Sequence, residues 1–319
     1  MPYHAQHVGL PKLPTRVIDV EASDSPNVRL CEPNCLRERY IALSYCWGHS
    51  QPLVATLETL ESLRAGIAMD ILPQTFQDAI KVTRSLGVRY LWIDALCIIQ
   101  DDPMDWKRES AQMASIYSDA YLTVAASRSS DSQEGFLQPR ETPASSSPIN
   151  IPVDEGPFAF FLYPAFSGDY NNPDPNQPLR KRAWALQERL LSPRYLSFET
   201  KQIFLVCSEI LAVDDNLNNH SPESREIFFR GLAAVPQPPA HHMKILHPSK
   251  IELQQRETRS KKFERWSEIV EEYSRCQLTF RQDKLQALAG VAQEISVTTG
   301  CQYYAGLWKE DLLTGLLWS

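Results

Sequence analysis

The run from Tyr90 to Ile99, YLWIDALCII, is apolar throughout except for one acid, Asp94. A stretch with no wet face must be covered on both sides, as a strand is when it lies in a parallel sheet between helices. Such a strand would deliver its carboxylate near its end. The flanking segments fit this requirement. Residues 40–46 (YIALSYC) and 121–126 (YLTVAA) are short β-prone runs, and the first is closed by Trp47-Gly48. Between them, LPQTFQDAIKVTRSLG (72–87) sets Phe76, Ala79, Ile80, Thr83 and Leu86 on one stripe, with Pro73 near its start and Gly87 at its end, which predicts an amphipathic helix. Asp102, Pro103 and Asp105 predict a capped start to a second helix, whose buried face is marked by Trp106, Met113, Ile116 and Tyr117 up to about Ser118. Strand, helix, strand, helix, strand predicts an α/β fold with a parallel sheet and crossover helices. Ligands of such sheets bind beyond the carboxyl ends of the strands, which directs attention to the loops after Cys46, Ile99 and Ala126.

Charge narrows the function. A formal net charge of −7 argues against a general nucleic-acid binder, whose affinity needs clustered Lys and Arg, so any anionic ligand must meet a local basic site. No run of about 18 apolar residues is present, and MPYHAQHVGLPKLP lacks the apolar segment of a secretory signal. A cytoplasmic protein without a membrane or nucleic-acid partner is expected. Seven cysteines, an odd number, include Cys46 and Cys97 in apolar runs, which suits reduced thiols better than a disulfide framework. Cys97 has no adjacent His and is assigned to the core, and no metal site is assigned.

The later chain predicts a compact helix at about 181–191, strands at 195–198 and 202–207, and helices at about 251–275 and 283–295. Pro-, Ser- and Asn-rich segments at 141–148 and 167–178 read as loops. The domain reading is an N-terminal extension (1–39), a core (40–210), a variable loop region (211–250) and C-terminal helices packing on the core (251–319). The apolar ending LLWS suggests a piece of a longer protein.

Three blocks, in order, resemble the heterokaryon-incompatibility (HET) domain of filamentous fungi: YIALSYCWG (40–48), Arg89 through YLWIDALCIIQDD and DWKRESAQMASIYSDA to Ala120, and RAWALQERLLSPR (182–194). GFLQPR (135–140), DKLQALAG (283–290) and AGLWKEDLLTGLLW (305–318) support the resemblance. It implies a flavodoxin/TIR-like parallel sheet with crossover helices, elaborated by extra strands and C-terminal helices, and a cell-death effector that self-associates or answers to a regulatory partner. HET domains resemble TIR domains, several of which cleave NAD at the nicotinamide bond with a glutamate in a Trp-x-x-x-Glu segment. Trp184 and Glu188 have that spacing, although TIR proteins usually carry Cys after the Trp, where this chain has Ala185. The resemblance therefore implies Glu188 as the catalytic carboxylate, with NAD as a substrate and no cofactor. Tyr45, Trp47, Gly48, Asp94, Arg182, Trp184 and Gln187 would line the substrate site.

Physical chemistry adds that Arg180, Lys181 and Arg182 crowd a helix start, where the macrodipole disfavours cations and an anionic ligand would relieve the conflict. Structural roles stand beside these functional ones. Glu188 can instead pair with Arg189, Arg194 or another buried Arg, Trp184 can belong to the core, Asp94 can cap backbone N–H groups, and Trp47-Gly48 can simply shape a turn. A non-catalytic signalling module is the alternative function.

Overall fold

The structure, a computed structural model, describes residues 9–21, 25–50, 53–139, 149–151, 158–160, 174, 176–207, 211–214 and 259–316. In chain order these form β1 (Val17–Asp19), β2 (Asn27–Cys31), β3 (Tyr40–Ser44), α1 (Leu60–Ala65), β4 (Ile67–Ala68), α2 (Gln74–Ser85), β5 (Tyr90–Trp92), α3 (Asp94–Cys97), α4 (Pro103–Asp119) and β6 (Leu122–Ala125). A small hairpin, β7 (Ile149–Ile151) with β8 (Phe158–Phe160), stands apart from the main sheet. Then come α5 (Ala183–Leu191), β9 (Arg194–Phe198), β10 (Ile203–Cys207), β11 (Leu211–Asp214), α6 (Arg259–Ser274), α7 (Gln286–Thr299), β12 (Tyr303–Tyr304), β13 (Leu307–Trp308) and α8 (Leu312–Gly315).

The main sheet of the described residues runs β11-β10-β9-β6-β3-β5-β1-β2-β4. Its centre is parallel: β5, β3, β6 and β9 point the same way. Antiparallel pairs flank it on both sides, β1 against β5 and β10 against β9. The fold is therefore α/β with a mixed sheet and a parallel core. Numbered by their order in the chain, the four parallel strands lie 2-1-3-4, so connections leave β3 in opposite directions and a switch point opens between β3 and β6.

The predicted helix over 72–87 forms as Gln74–Ser85, with Phe76, Ala79 and Ile80 buried. Asp102 caps α4 by accepting from the backbone N–H groups of Met104 and Asp105, and Pro103 occupies the first turn. One expectation needs correction. The strand over Tyr90–Ile99 ends at Trp92, and Asp94 opens the short helix α3. A segment buried on every side hides its period, so the change from strand to helix leaves no trace in hydrophobicity. The segment 1–39, set apart as an extension, supplies β1 and β2 to the sheet. The loop expected over 141–148 lies outside the described residues, as does all of the 211–250 excursion beyond Asp214. No helix of the described residues is long and apolar enough to cross a membrane.

A buried charge network fastens the N-terminal strand to the start of α4. Arg16, 4 % exposed, is paired with Asp105, lies 3.8 Å from Glu109 and donates its Nε to the Cys97 carbonyl at 2.7 Å. Asp105 also accepts from the Ile99 N–H at 2.8 Å and pairs with Arg108. Burial raises the Asp105 carboxyl pKa, but the Arg16 and Ile99 donors outweigh it and leave the group below its ordinary value. Removing Arg16 leaves the Asp105 and Glu109 carboxylates, neither more than 2 % exposed, without their buried cation. Arg16→Met should lower unfolding stability in urea by about 3–5 kcal/mol, the usual consequence of breaking a buried pair from one side; a change under 1 kcal/mol would show the network to be peripheral.

Candidate functional site

β3 has no wet face, so its polar atoms must be met by side chains. With a period of two, Ser44 and Tyr40 face one side of the sheet and Tyr45 the other. On the first side, the Tyr40 hydroxyl donates to the Ile116 carbonyl at 2.5 Å and the Tyr117 hydroxyl donates to the Leu43 carbonyl at 3.0 Å, which seats α4. The Ser44 hydroxyl donates to Glu188 Oε2 at 2.5 Å, which seats α5. On the second side the Tyr45 ring meets Phe76 of α2 edge-on, with centroids 5.1 Å apart.

At the carboxyl end of β3 the chain turns over a group of charges. The Arg182 guanidinium, at the entry to α5, donates to the Tyr45 carbonyl. Trp47 Nε1 donates to Asp94 Oδ2 at 2.8 Å, while Asp94 Oδ1 accepts from the Ala95 N–H at 2.7 Å. The Tyr45 hydroxyl is buried near Asp94, yet it makes no hydrogen bond of acceptable geometry. Thus Tyr45, Trp47, Asp94, Arg182 and Glu188, picked out separately in the sequence, gather at the ends of β3 and β5.

Glu188 is 2 % exposed. Arg189 gives its charge to Glu272 at 2.5 Å, and Arg194 donates to the Tyr121 carbonyl at 3.0 Å and stacks on its ring. Neither forms the ion pair considered for Glu188, and among the described residues no cation lies within 4 Å of its carboxylate. Burial pushes the Glu188 carboxyl up to about 7, against the opposing pull of Arg182 and the Ser44 hydroxyl. The carboxylates Glu188 and Asp94 in turn more than offset the burial of Arg182 and hold its pKa above the ordinary value. Burial also keeps the Cys46 thiol protonated, pushing it up to about 11, and raises Cys97 further. Neither is a nucleophile in this setting.

Trp184 and Gln187 go elsewhere. Gln187 accepts from the Gly290 N–H at 2.8 Å, and a Cβ on Gly290 would lie 2.4 Å from that of Ala114, so α4, α5 and α7 meet there without room for a side chain. Trp184 is half-buried, with its Nε1 3.5 Å from Asp283 Oδ2. Positions i and i+4 do share a face, but they are about 6 Å apart along the axis, enough for Trp184 to meet the C-terminal segment while Glu188 meets the sheet. Gly48 has φ +77°, and a Cβ there would collide with Asp131, whose carboxylate accepts from the backbone N–H groups of His49 and Ser50. That clasp joins the loops after β3 and β6; against the raising effect of burial, the Ser50 hydroxyl and the Gln133, Ser50 and His49 N–H groups hold the Asp131 pKa down to about 2.

Ser44 and a second buried carboxylate were not singled out from sequence, and Tyr117 was placed there only as part of the buried face of its helix. Glu199, just after β9 and 1 % exposed, is pushed up to about 7 by burial despite Arg180 and the Asp174 N–H, which donates to it at 3.1 Å. A Ser in the otherwise apolar YIALSYC was the one available signal.

Residues 40–188 match the family model described as Heterokaryon incompatibility protein (HET). The matched span starts at the first residue of β3 and ends at Glu188, so it brackets the charged cluster, and it supports reading this segment as a heterokaryon-incompatibility domain. No curated protein and no solved structure matches the chain.

The folded pKa of Glu188 lies above its unfolded value near 4.5. The stability this group contributes is therefore full below about 4.5 and is lost as pH rises through about 7. Glu188→Gln should raise the melting temperature at pH 8, corresponding to about 3 kcal/mol, with the advantage gone by pH 4. An equal difference at both pH values would mean that Glu188 does not change charge between them.

Proposed function

We propose that this chain is a heterokaryon-incompatibility effector that kills by hydrolysing NAD at the nicotinamide-ribose bond, with Glu188 as the catalytic carboxylate. The observation carrying this reading is a buried glutamate with no cation within 4 Å among the described residues, pushed up to about 7 by burial, at the carboxyl end of the parallel strands. The 2-1-3-4 strand order supports a flavodoxin/TIR-like reading of the core, in which ligands approach the switch point. In the reaction the C1′–N bond breaks, its electron pair leaves with nicotinamide, and a water oxygen bonds to C1′ while its proton passes to solvent. Ionised Glu188 stabilises the oxocarbenium-like ribose and orients its hydroxyls, and Arg182 faces the negative part of the dinucleotide. Trp47 is tied to Asp94 beside Glu188 and Arg182, and in this reading substrate entry breaks that contact. In this reading the cytoplasmic protein acts when self-association or a regulatory partner opens the site.

One observation favours a second reading. Glu188 is sealed from solvent and already holds Ser44, as a carboxylate with a purely structural role would. A non-catalytic module would then pass an oligomerisation signal through the same surface.

NAD consumption by concentrated protein, with chromatography for nicotinamide and ADP-ribose, separates the two. The hydrolase reading expects turnover that rises with pH through about 7 and falls at least ~100-fold in both Glu188→Ala and Glu188→Gln, with folding retained. No turnover from concentrated and artificially clustered protein would overturn it in favour of the module.

A further inference from the structure

A second basic site lies between α5, the end of α6 and Tyr195 of β9. Arg180, in the turn before α5, and Arg189, near its end, line one cavity with Leu179, Ala185, Tyr195 and Glu272. Their side chains are 13 % and 11 % exposed, whereas Glu272 of α6 is 37 % exposed. Glu272 Oε1 lies 2.5 Å from Arg189 and 3.8 Å from Arg180, so one carboxylate serves two guanidinium groups. Among the described residues the other acid acting on Arg180 is Glu199, whose carboxyl burial pushes up to about 7. Two largely buried guanidinium groups thus converge on one carboxylate, and that carboxylate is the most exposed of the three side chains.

The backbone around it is fixed. The Gln277 N–H donates to the Lys181 carbonyl at 2.6 Å and the Ala183 N–H donates to the Gln277 carbonyl at 3.0 Å, pinning the end of α6 beside the start of α5. The space is water-sized at about 10 Å³, and Glu272, the most exposed of the three charged side chains, closes it.

We propose that Arg180 and Arg189 form a binding site for a phosphoryl oxyanion, and that Glu272 is the internal anion occupying it in this state. Two guanidinium groups converging on one carboxylate oxygen suit a phosphoryl group better than a carboxylate, because its several oxygens can accept from both forks at once. An incoming dianion displaces Glu272 and neutralises the excess charge. This site holds whether or not Glu188 is catalytic, since none of its groups takes part in that chemistry.

Calorimetric titration with inorganic pyrophosphate, at constant ionic strength, tests it. Glu272→Gln, which removes the competing charge and keeps the helix, should bind pyrophosphate about tenfold more tightly than the unaltered protein. Arg189→Met in the Glu272→Gln background should lose that binding, and Arg189→Lys, which keeps the charge but not the fork, should weaken it with the fold intact. No binding to Glu272→Gln at millimolar pyrophosphate, or equal binding with and without Arg189, would overturn the proposal.

Discussion

A central strand buried on both faces must find partners for its polar atoms without the help of water, and the arrangement around β3 follows from that need. The Leu43 and Tyr45 carbonyls and the Ser44 hydroxyl are met by Tyr117, Arg182 and Glu188. Unmet, each would cost roughly 1–3 kcal/mol. The helices are therefore placed by specific hydrogen bonds as well as by apolar packing, and the same bonds bring Glu188 and Arg182 to the carboxyl end of the sheet.

The electrostatics of that end are unusual for a scaffold. A carboxylate with a merely structural role gains most from a close cation, and Asp19 shows how: Arg89 grips it with two donors, at 2.7 and 2.9 Å, and Arg29 adds a third. Glu188 and Glu199 have no comparable grip, and burial pushes both up to about 7. The chain thus keeps two acids near their titration points while it ionises Asp19, Asp105 and Asp131 firmly. Sites that do proton or cation chemistry need the first condition, and joints need the second.

Much of the fold was legible because its signals are local. The α2 stripe, the Asp102-Pro103 cap and the apolar β6 each declare themselves within a dozen residues, and their alternation implies the parallel core. The site was legible in part, since Glu188, Arg182, Asp94, Tyr45 and Trp47 converge as residues at strand ends should. What stayed hidden depends on distant pairings. Arg16 meets Asp105 across 89 positions and Gln187 meets Gly290 across 103, and no periodicity foretells either. The end of β5 was misplaced for the opposite reason, because total burial erases the pattern by which strand and helix are told apart.

The glycine at 290 deserves a mechanical reading. With no side chain between them, α5 and α7 touch backbone to amide, and Ala114 of α4 closes the third side. Gears meshed this closely do not slip past one another; they turn together or stay still. A shift of α7 is thus transmitted to α5, the helix that carries the buried acid.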